Sequence, residues 1–330
     1  LRGVMTLDDL RNYTAPFRAP TRISYRGLDV YGMGPPSSGG TTDGEALNIL
    51  EGYRDFGRDR VLSLHRYLEA SRLAYADRNA YLADPDYFVV PLKGLLSDGF
   101  AADRRALITQ TAAQRPVDPG DPYPYNGGGG GTAQAATTDT RPGTTTHITT
   151  ADATGNVVSY TFTIESTGGA GMVVPGFGFL ANNELTDFNY DSLTHPNRVE
   201  GGKRPRSSIS PTVVLQGGKP LLAVGSPGGS TIITTVLQIL VDRLDLGLTL
   251  PQAIADPRLS QRNTATTQVE PAFLTTAEAS ALQARGHVFS TTPEIGAATG
   301  IEFLGGDRLL AAAEPVRRGG GSAMVVSPSP

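Results

Sequence analysis

Residues 144–165, TTTHITTADATGNVVSYTFTIE, read as a strand, a turn over 152–156 and a second strand. In the second strand Val158, Tyr160, Phe162 and Ile164 share one face, and Ser159, Thr161 and Thr163 share the other. Three threonines stand directly before one of only four histidines. A threonine hydroxyl is too weakly acidic to ionise unaided, so it attacks a carbonyl only beside a base. One economical base is the residue's own α-amine, which titrates near ~8 and is freed if the chain is cut just before it. From residue types alone, the simpler reading is that the triplet merely starts a strand.

Upstream, residues 116–144, PVDPGDPYPYNGGGGGTAQAATTDTRPGT, have five consecutive glycines and almost no large aliphatic side chains. Such a stretch buries too little surface to offset its ordering entropy, which predicts a flexible, exposed segment. A mobile segment running into a strand is a place where a chain can be cut. Downstream, a second hairpin is expected over 211–226, turning at Gly217 and Gly218. A helix over 231–247, closed by Gly247, should follow it. Further helices are expected over 251–255 and 277–285, the latter with Thr275 and Glu278 as a capping box and Gly286 as terminator. In the first hundred residues, helices are expected over 43–53 and 60–81. Val61, Leu64, Leu68 and Tyr75 recur there at helical spacing. Thr6 with Asp9 marks a further helix start. Two hairpins with flanking helices predict layered sheets packed between helices.

The chain has 330 residues, enough for one large domain or two ordinary ones. With a net charge of −4 it has no basic excess, which argues against a nucleic-acid partner. No apolar stretch approaches the ~18 residues of a membrane span. With no cysteines, disulfides and thiolate chemistry are excluded. His65, His147, His195 and His287 are scattered, so a histidine metal site is not expected. The chain begins LRGVMTLDDL, with neither an initiator methionine nor a signal peptide, and Leu1 is not expected to be the natural start.

Three further stretches can carry chemistry. VGSPGGSTIITT, 224–235, runs strand, Pro-Gly-Gly, helix. Its amides at the positive end of a helix suit a phosphate or a developing oxyanion. No Gly-Lys-Ser/Thr follows, which disfavours phosphate and leaves an oxyanion hole around Gly228 and Gly229, or a glycine helix entry needed for packing. LANNELTDFNY, 180–190, clusters two amides and two carboxylates within six residues, suited to an ammonium or to a capped turn. KRPRSSISP, 203–211, offers hydroxyls and cations, suited to a carboxylate or to a solvated loop.

Each signal is weak alone, but TTH…TADATGNVVSYTFTIE, GFGFLANNELTDF, KRPRSSISPT and GSPGGSTIITTVLQ, in this order and spacing, closely resemble the γ-glutamyltransferases (γ-glutamyl transpeptidases). YRGLDVYGMGPPSSGG and AYADRNAYLADPDY resemble that family's large subunit, so the resemblance runs over nearly the whole chain. It implies an α+β fold, the four-layer αββα sandwich of the N-terminal-nucleophile hydrolases, and a precursor that cuts itself in two. Residues 1–144 would be the C-terminal part of the large subunit, with 116–144 as its flexible end, and 145–330 the small catalytic subunit.

By motif, Thr145 would be the nucleophile, Thr163 would orient its hydroxyl, and the amides of Gly228 and Gly229 would form the oxyanion hole. Glu165, Glu184 and Asp187 would hold the substrate's α-amino group, and Ser207 and Ser208 its α-carboxylate. The implied reaction is γ-glutamyl transfer and hydrolysis of glutathione, glutamine and similar donors, with water, amino acids or peptides as acceptors. No metal or organic cofactor is implied. Export to the periplasm or medium is implied, any signal peptide lying upstream of Leu1.

Three departures stand out. Positions 165 and 184 are glutamates where some members carry Asn and Gln. The segment from Phe188 to Lys203 is short where some relatives have a longer lid, which predicts an open site. The family's upstream half, with an arginine that contacts the substrate carboxylate, has no counterpart here. A glutaryl or cephalosporin-type acylase on the same scaffold, and an inactive unprocessed or truncated relative, are the competing readings.

Overall fold

The computed structural model describes residues 5–114, 116–127, 133, 143–306 and 308–326. In chain order the first elements are α1 (Leu7–Asn12), β1 (Thr21–Tyr25), β2 (Leu28–Gly32), α2 (Gly39–Glu51) and α3 (Arg60–Tyr81). Then come α4 (Leu92–Leu95), α5 (Asp98–Ala106), and the hairpin β3 (Thr145–Ala151) and β4 (Val157–Thr163). β5 (Thr212–Gln216), β6 (Lys219–Gly225), α6 (Thr231–Leu244) and α7 (Leu250–Ala255) follow. The last are β7 (Leu259–Ser260), β8 (Thr267–Val269), α8 (Ala277–Ala284), β9 (Phe289–Thr291), β10 (Thr299–Gly305) and β11 (Arg308–Ala313).

β1-β2-β5-β6-β10-β11 form one antiparallel sheet of six strands. One face takes α2 and α6; against the strands β6 and β10 the β3–β4 hairpin packs as a second sheet. The burial patterns report this layering. β1 alternates, with Thr21, Ile23 and Tyr25 buried and Arg22 and Ser24 exposed, whereas Leu222 to Gly225 of β6 are all buried because both faces are covered. The two sheets approach closely at Gly225: a methyl group there would lie 2.2 Å from the His147 ring. α6 is buried almost all round, through Ile232, Ile233, Val236, Leu237, Ile239, Leu240 and Val241. Each such side chain contributes roughly 1.5–3 kcal/mol on burial.

Among the described residues, helices, large sheet and hairpin stack as consecutive layers of the expected αββα sandwich. The outer face of the hairpin is half exposed, and on it stand Ile148, Val158, Tyr160 and Phe162, the last two stacked at 5.1 Å. The opposite face of β4, with Ser159, Thr161 and Thr163, turns inward. Ser159 Oγ donates to Val224 O at 3.2 Å, and Thr161 Oγ1 pairs with His147 Nδ1 at 2.8 Å.

α3 starts where Asp59 accepts a hydrogen bond from the Leu62 amide at 3.0 Å. Apart from the half-buried Arg66, it is buried from Ser63 to Tyr81 despite its many polar residues. Those residues have fixed partners. Tyr67 OH donates to Thr234 O and Leu259 O, Ser71 Oγ to Gln261 O, Arg72 Nη1 to Thr264 O, and Tyr75 OH to Ser230 O. Positions 67, 71, 75 and 78 lie along one side of the helix, so α3 is a polar spine against which the 230–264 segment is registered. At its C-terminus the carbonyl of Asn79 receives His195 Nε2 at 2.8 Å and Arg206 Nη1 at 3.3 Å.

Two expectations need correcting. Thr276, not Thr275, caps α8, because Thr275 lies in a preceding 3-10 turn and bonds Ala272 O instead. Of the segment expected to be flexible and exposed over 116–144, residues 116–127 are docked: Gly120 N donates to the buried Asp77, Tyr81 OH donates to Gly120 O, and Val117 exchanges two hydrogen bonds with Asn263. Two tyrosines, Tyr123 and Tyr125, pack on Tyr81 and Phe100, which supplies the apolar contact that the composition seemed to lack. Residues 128–132 and 134–142 lie outside the described residues.

Asp242, fully buried in α6, is pushed up to about 8 by desolvation first and by Asp256 second. A folded pKa above the unfolded value means that stability is lost as pH rises from about 4 to 8. Asp242→Asn lacks this linkage. Its stability relative to the unsubstituted chain is expected to rise by up to ~1.4 kcal/mol per pH unit across that window, measured by urea denaturation. A constant difference would contradict a protonated Asp242.

Candidate active site

β3 and β4 pair in a register that sets Thr145 opposite Thr163. Their hydroxyls meet: Thr145 Oγ1 donates to Thr163 Oγ1 at 3.1 Å, and Thr163 Oγ1 donates to Thr144 O at 2.9 Å. Thr163 Oγ1 also accepts from Glu165 N at 2.9 Å. One hydroxyl thus touches both the candidate nucleophile and the carbonyl of the peptide bond before it. Thr144 N donates to Glu165 O, and Arg318 Nη2 holds Gly143 O at 3.1 Å, so the junction is held on both sides.

His147 is not the base. Its ring is buried between the sheets, within hydrogen-bond distance of Thr161 Oγ1 and Thr149 Oγ1, and desolvation lowers its pKa to about 4. The other histidines are also buried. The fold unites two of them, His65 Nδ1 and His287 Nε2, at 2.8 Å, far from the threonines in sequence. Among the described residues no three metal-ligating side chains converge.

Thr145 lines a cleft open to solvent, together with Thr163, Glu165, Glu184, Asp187, Ser207, Ser208 and Gly229. Residues from four separate stretches, read apart in the sequence, are thereby brought to one place. Gly228 does not line the cleft itself but precedes Gly229 in the turn into α6. Among the described residues, the N–H groups of Gly228 and Gly229 have no hydrogen-bond partner, while their carbonyls accept from Thr231 N and Ile232 N. A methyl group on Gly143 would lie 3.0 Å from the Gly229 nitrogen, so the uncut chain runs over this nest of amides.

The acidic end is built by the end of β4 and the turn over Glu184–Asp187. Glu165 adopts φ 71°, which turns its carboxylate back to accept from Ser166 Oγ and Asn183 Nδ2. Glu184 is raised to about 7, by burial first and then by the charges of Asp187 and Glu165, and its Oε1 is buried without a partner among the described residues. Such a group takes up a cation readily, because an ammonium relieves both causes of the shift.

At the other end, Ser207 and Ser208 lie beside Arg78 and Arg206. Neither arginine is among the site residues expected by motif, although Arg206 belongs to the 203–211 stretch whose cations suit a carboxylate. Arg78 Nη2 donates to Ser208 Oγ at 2.7 Å from α3, a hundred and thirty positions away in the chain. The stretch AYADRNAY that carries it is legible as a motif, but its depth in the cleft is not.

Residues 1–324 match the family model for gamma-glutamyltranspeptidase. The glutathione hydrolase proenzyme of Bacillus subtilis (strain 168) is 39% identical over 296 residues, covering 88% of this chain and 50% of its own length. Among solved structures, the cephalosporin acylase from Bacillus halodurans superposes with a TM-score of 0.84 at 29% identity, covering 98% of this chain and 56% of the acylase chain. The gamma-glutamyltranspeptidase from Pseudomonas nitroreducens complexed with L-DON superposes with a TM-score of 0.50 at 34% identity, covering 55% of this chain and 100% of the other. The chain thus spans about half the length of the curated relatives it matches. The sheets-between-helices fold and the order of its motifs agree with these matches, and the chain belongs to the gamma-glutamyltranspeptidase family.

Proposed function

We propose that this chain carries the catalytic centre of a γ-glutamyl transferase and glutathione hydrolase whose nucleophile is Thr145. The observation that carries this is the Thr145–Thr163–Thr144 hydroxyl–carbonyl chain, placed between a carboxylate-rich end and a serine- and arginine-lined end of one cleft. A γ-glutamyl group presents an acyl carbon to the threonine, an ammonium to Glu165, Glu184 and Asp187, and a carboxylate to Ser207 and Ser208.

Maturation would begin on the uncut chain. Thr145 Oγ attacks the Thr144 carbonyl carbon, closing a five-membered ring, while Thr163 donates to the carbonyl oxygen. Collapse moves the acyl group from nitrogen to oxygen, and water hydrolyses the ester, leaving the Thr144 carboxyl and a free Thr145 α-amine. That amine is then the base for the second use of the same hydroxyl. In turnover the Thr145 oxygen attacks the γ-carbonyl, the amides of Gly228 and Gly229 receive the oxyanion, and the donor's amine leaves. Water, an amino acid or a peptide then resolves the γ-glutamyl ester. The P. nitroreducens chain is covered whole by 55% of this chain, a share close to that of residues 145–330, which supports a cut at this position. Glutathione and glutamine are the proposed donors, and export is the proposed location; among the described residues, no helix is long and apolar enough to cross a membrane.

The acylase reading has its own support in the B. halodurans superposition, but a glutaryl group offers nothing to the three carboxylates. Comparing γ-glutamyl and glutaryl p-nitroanilides tests the choice: the γ-glutamyl substrate is expected to win in kcat/KM, and equal or better glutaryl turnover would refute the proposal.

Glu184 gives this reading a pH signature. Below about 7 its carboxyl is protonated and attracts the donor's ammonium less, so KM should climb by up to ~10-fold per unit as pH falls further. Glu184→Gln should flatten that limb of kcat/KM near pH 7 and leave the one set by the Thr145 amine near ~8. An unchanged limb near 7 in the variant would exclude Glu184 as its source.

A further inference from the structure

We propose that Arg78 is the positioning residue that aims the Ser208 hydroxyl at the donor's carboxylate and makes this end of the cleft selective for donors that carry one. The inference rests on the γ-glutamyl reading above, extended to a residue outside the expected set.

Arg78 is 3% exposed and lies on α3 with its guanidinium spread over several partners. Nη2 donates to Ser208 Oγ at 2.7 Å, Nε to Ser38 Oγ at 2.8 Å and Nη1 to Asn79 Oδ1 at 3.0 Å. A guanidinium only donates, so Ser208 Oγ must accept from it, and the Ser208 proton is directed to some other acceptor. Ser208 lines the cleft, where the best acceptor for a hydroxyl already polarised by a cation is an anion.

Ser38 completes the frame. Its hydroxyl, which accepts from Arg78, donates to Ser207 O at 2.7 Å, and its amide donates to the same carbonyl at 2.9 Å. Through one side chain and one serine, α3 therefore fixes both the backbone and a hydroxyl of the Ser207–Ser208 loop. One turn earlier, Tyr75 OH donates to Ser230 O at 2.5 Å, next to the amide nest. Two successive turns of α3 thus set the carboxylate end relative to the oxyanion end. Arg206, which also lines the cleft, directs Nη1 to the carbonyls of Arg78 and Asn79 and braces the end of that helix. A lysine at position 78 would carry the charge, but its three N–H groups radiate from one nitrogen and lack the rigid planar fork with which Arg78 reaches Ser38 through Nε and Ser208 through Nη2.

The test uses the full-length protein with three p-nitroanilides: γ-glutamyl, glutaryl (no ammonium) and 4-aminobutyryl (no carboxylate). Arg78→Gln is expected to lower the kcat/KM ratio of carboxylate-bearing to carboxylate-free donors by roughly 10- to 100-fold, chiefly through KM. Arg78→Lys should recover part of that ratio. In a Ser208→Ala background, Arg78→Gln should lower it by much less. An equal fall on all three substrates, or an unchanged ratio in Arg78→Gln and Arg78→Lys, would overturn the inference and leave Arg78 as a buried structural residue. A preference of the unsubstituted protein for the glutaryl donor would refute the γ-glutamyl reading instead. The carboxylate comparison would still report on Arg78, because the glutaryl donor keeps that group.

Discussion

Thr145→Ala is expected to remain a single intact chain on denaturing electrophoresis and to lose γ-glutamyl turnover by on the order of 10^4-fold or more. The unsubstituted chain should yield two fragments, one ending at Thr144 and one beginning with a free Thr145 amine. In the proposed mechanism a single oxygen performs both attacks, and the amine that assists the second exists only after the first. Thr145 is 8% exposed at the start of β3, and its hydroxyl donates to Thr163, so its removal deletes one hydrogen bond without opening a large cavity. The variant should therefore fold, and its thermal unfolding should confirm that. Thr145→Ser keeps the oxygen and should still mature, more slowly, since it loses the β-methyl that limits side-chain rotation. Thr163→Ala should slow maturation more than it destabilises the fold, because it removes the donor to the Thr144 carbonyl. Complete cleavage of Thr145→Ala, with full activity, would remove Thr145 from the mechanism.

Gly228→Ala is expected to lower kcat by about 100- to 1000-fold with a much smaller change in KM, the signature of a lost oxyanion donor. Gly228 holds φ 147°, a conformation that side-chain-bearing residues rarely adopt, and an added methyl would lie 2.7 Å from Thr231 Oγ1. The backbone must rotate to relieve this, and the two amides rotate with it. The ground state loses little, because the amides gain most when the carbonyl oxygen becomes charged. Single-turnover kinetics on the matured variant separates acylation from binding. A raised KM with kcat intact would instead assign the nest to substrate binding.

Much of the architecture follows from local signals. The period-two pattern around 157–163, the turn at 152–156, the Gly217–Gly218 hairpin and the 60–81 helix all match observed elements, since each depends on a residue's nearest neighbours. The helix expected over 43–53 begins earlier, at Gly39: Gly39 and Gly40 pack against the Ser210 backbone and β2, where no side chain fits. Composition misread residues 116–127, because it counts aliphatic groups and cannot register the amide that Asp77 receives from Gly120.

The sequence by itself determined the local chemistry: a hydroxyl before a strand, a glycine turn into a helix, clustered carboxylates and paired serines, all in one order. What it left open was convergence, which depends on contacts between residues remote in the chain. Only the tertiary structure decided that β4 turns its threonine face inward, that Thr163 bridges Thr145 and the Thr144 carbonyl, and that Arg78 reaches Ser208 from the buried helix α3. Hydrogen-bond geometry and burial are set by packing between layers, and no periodicity along the chain encodes which remote groups that packing will bring within 3 Å.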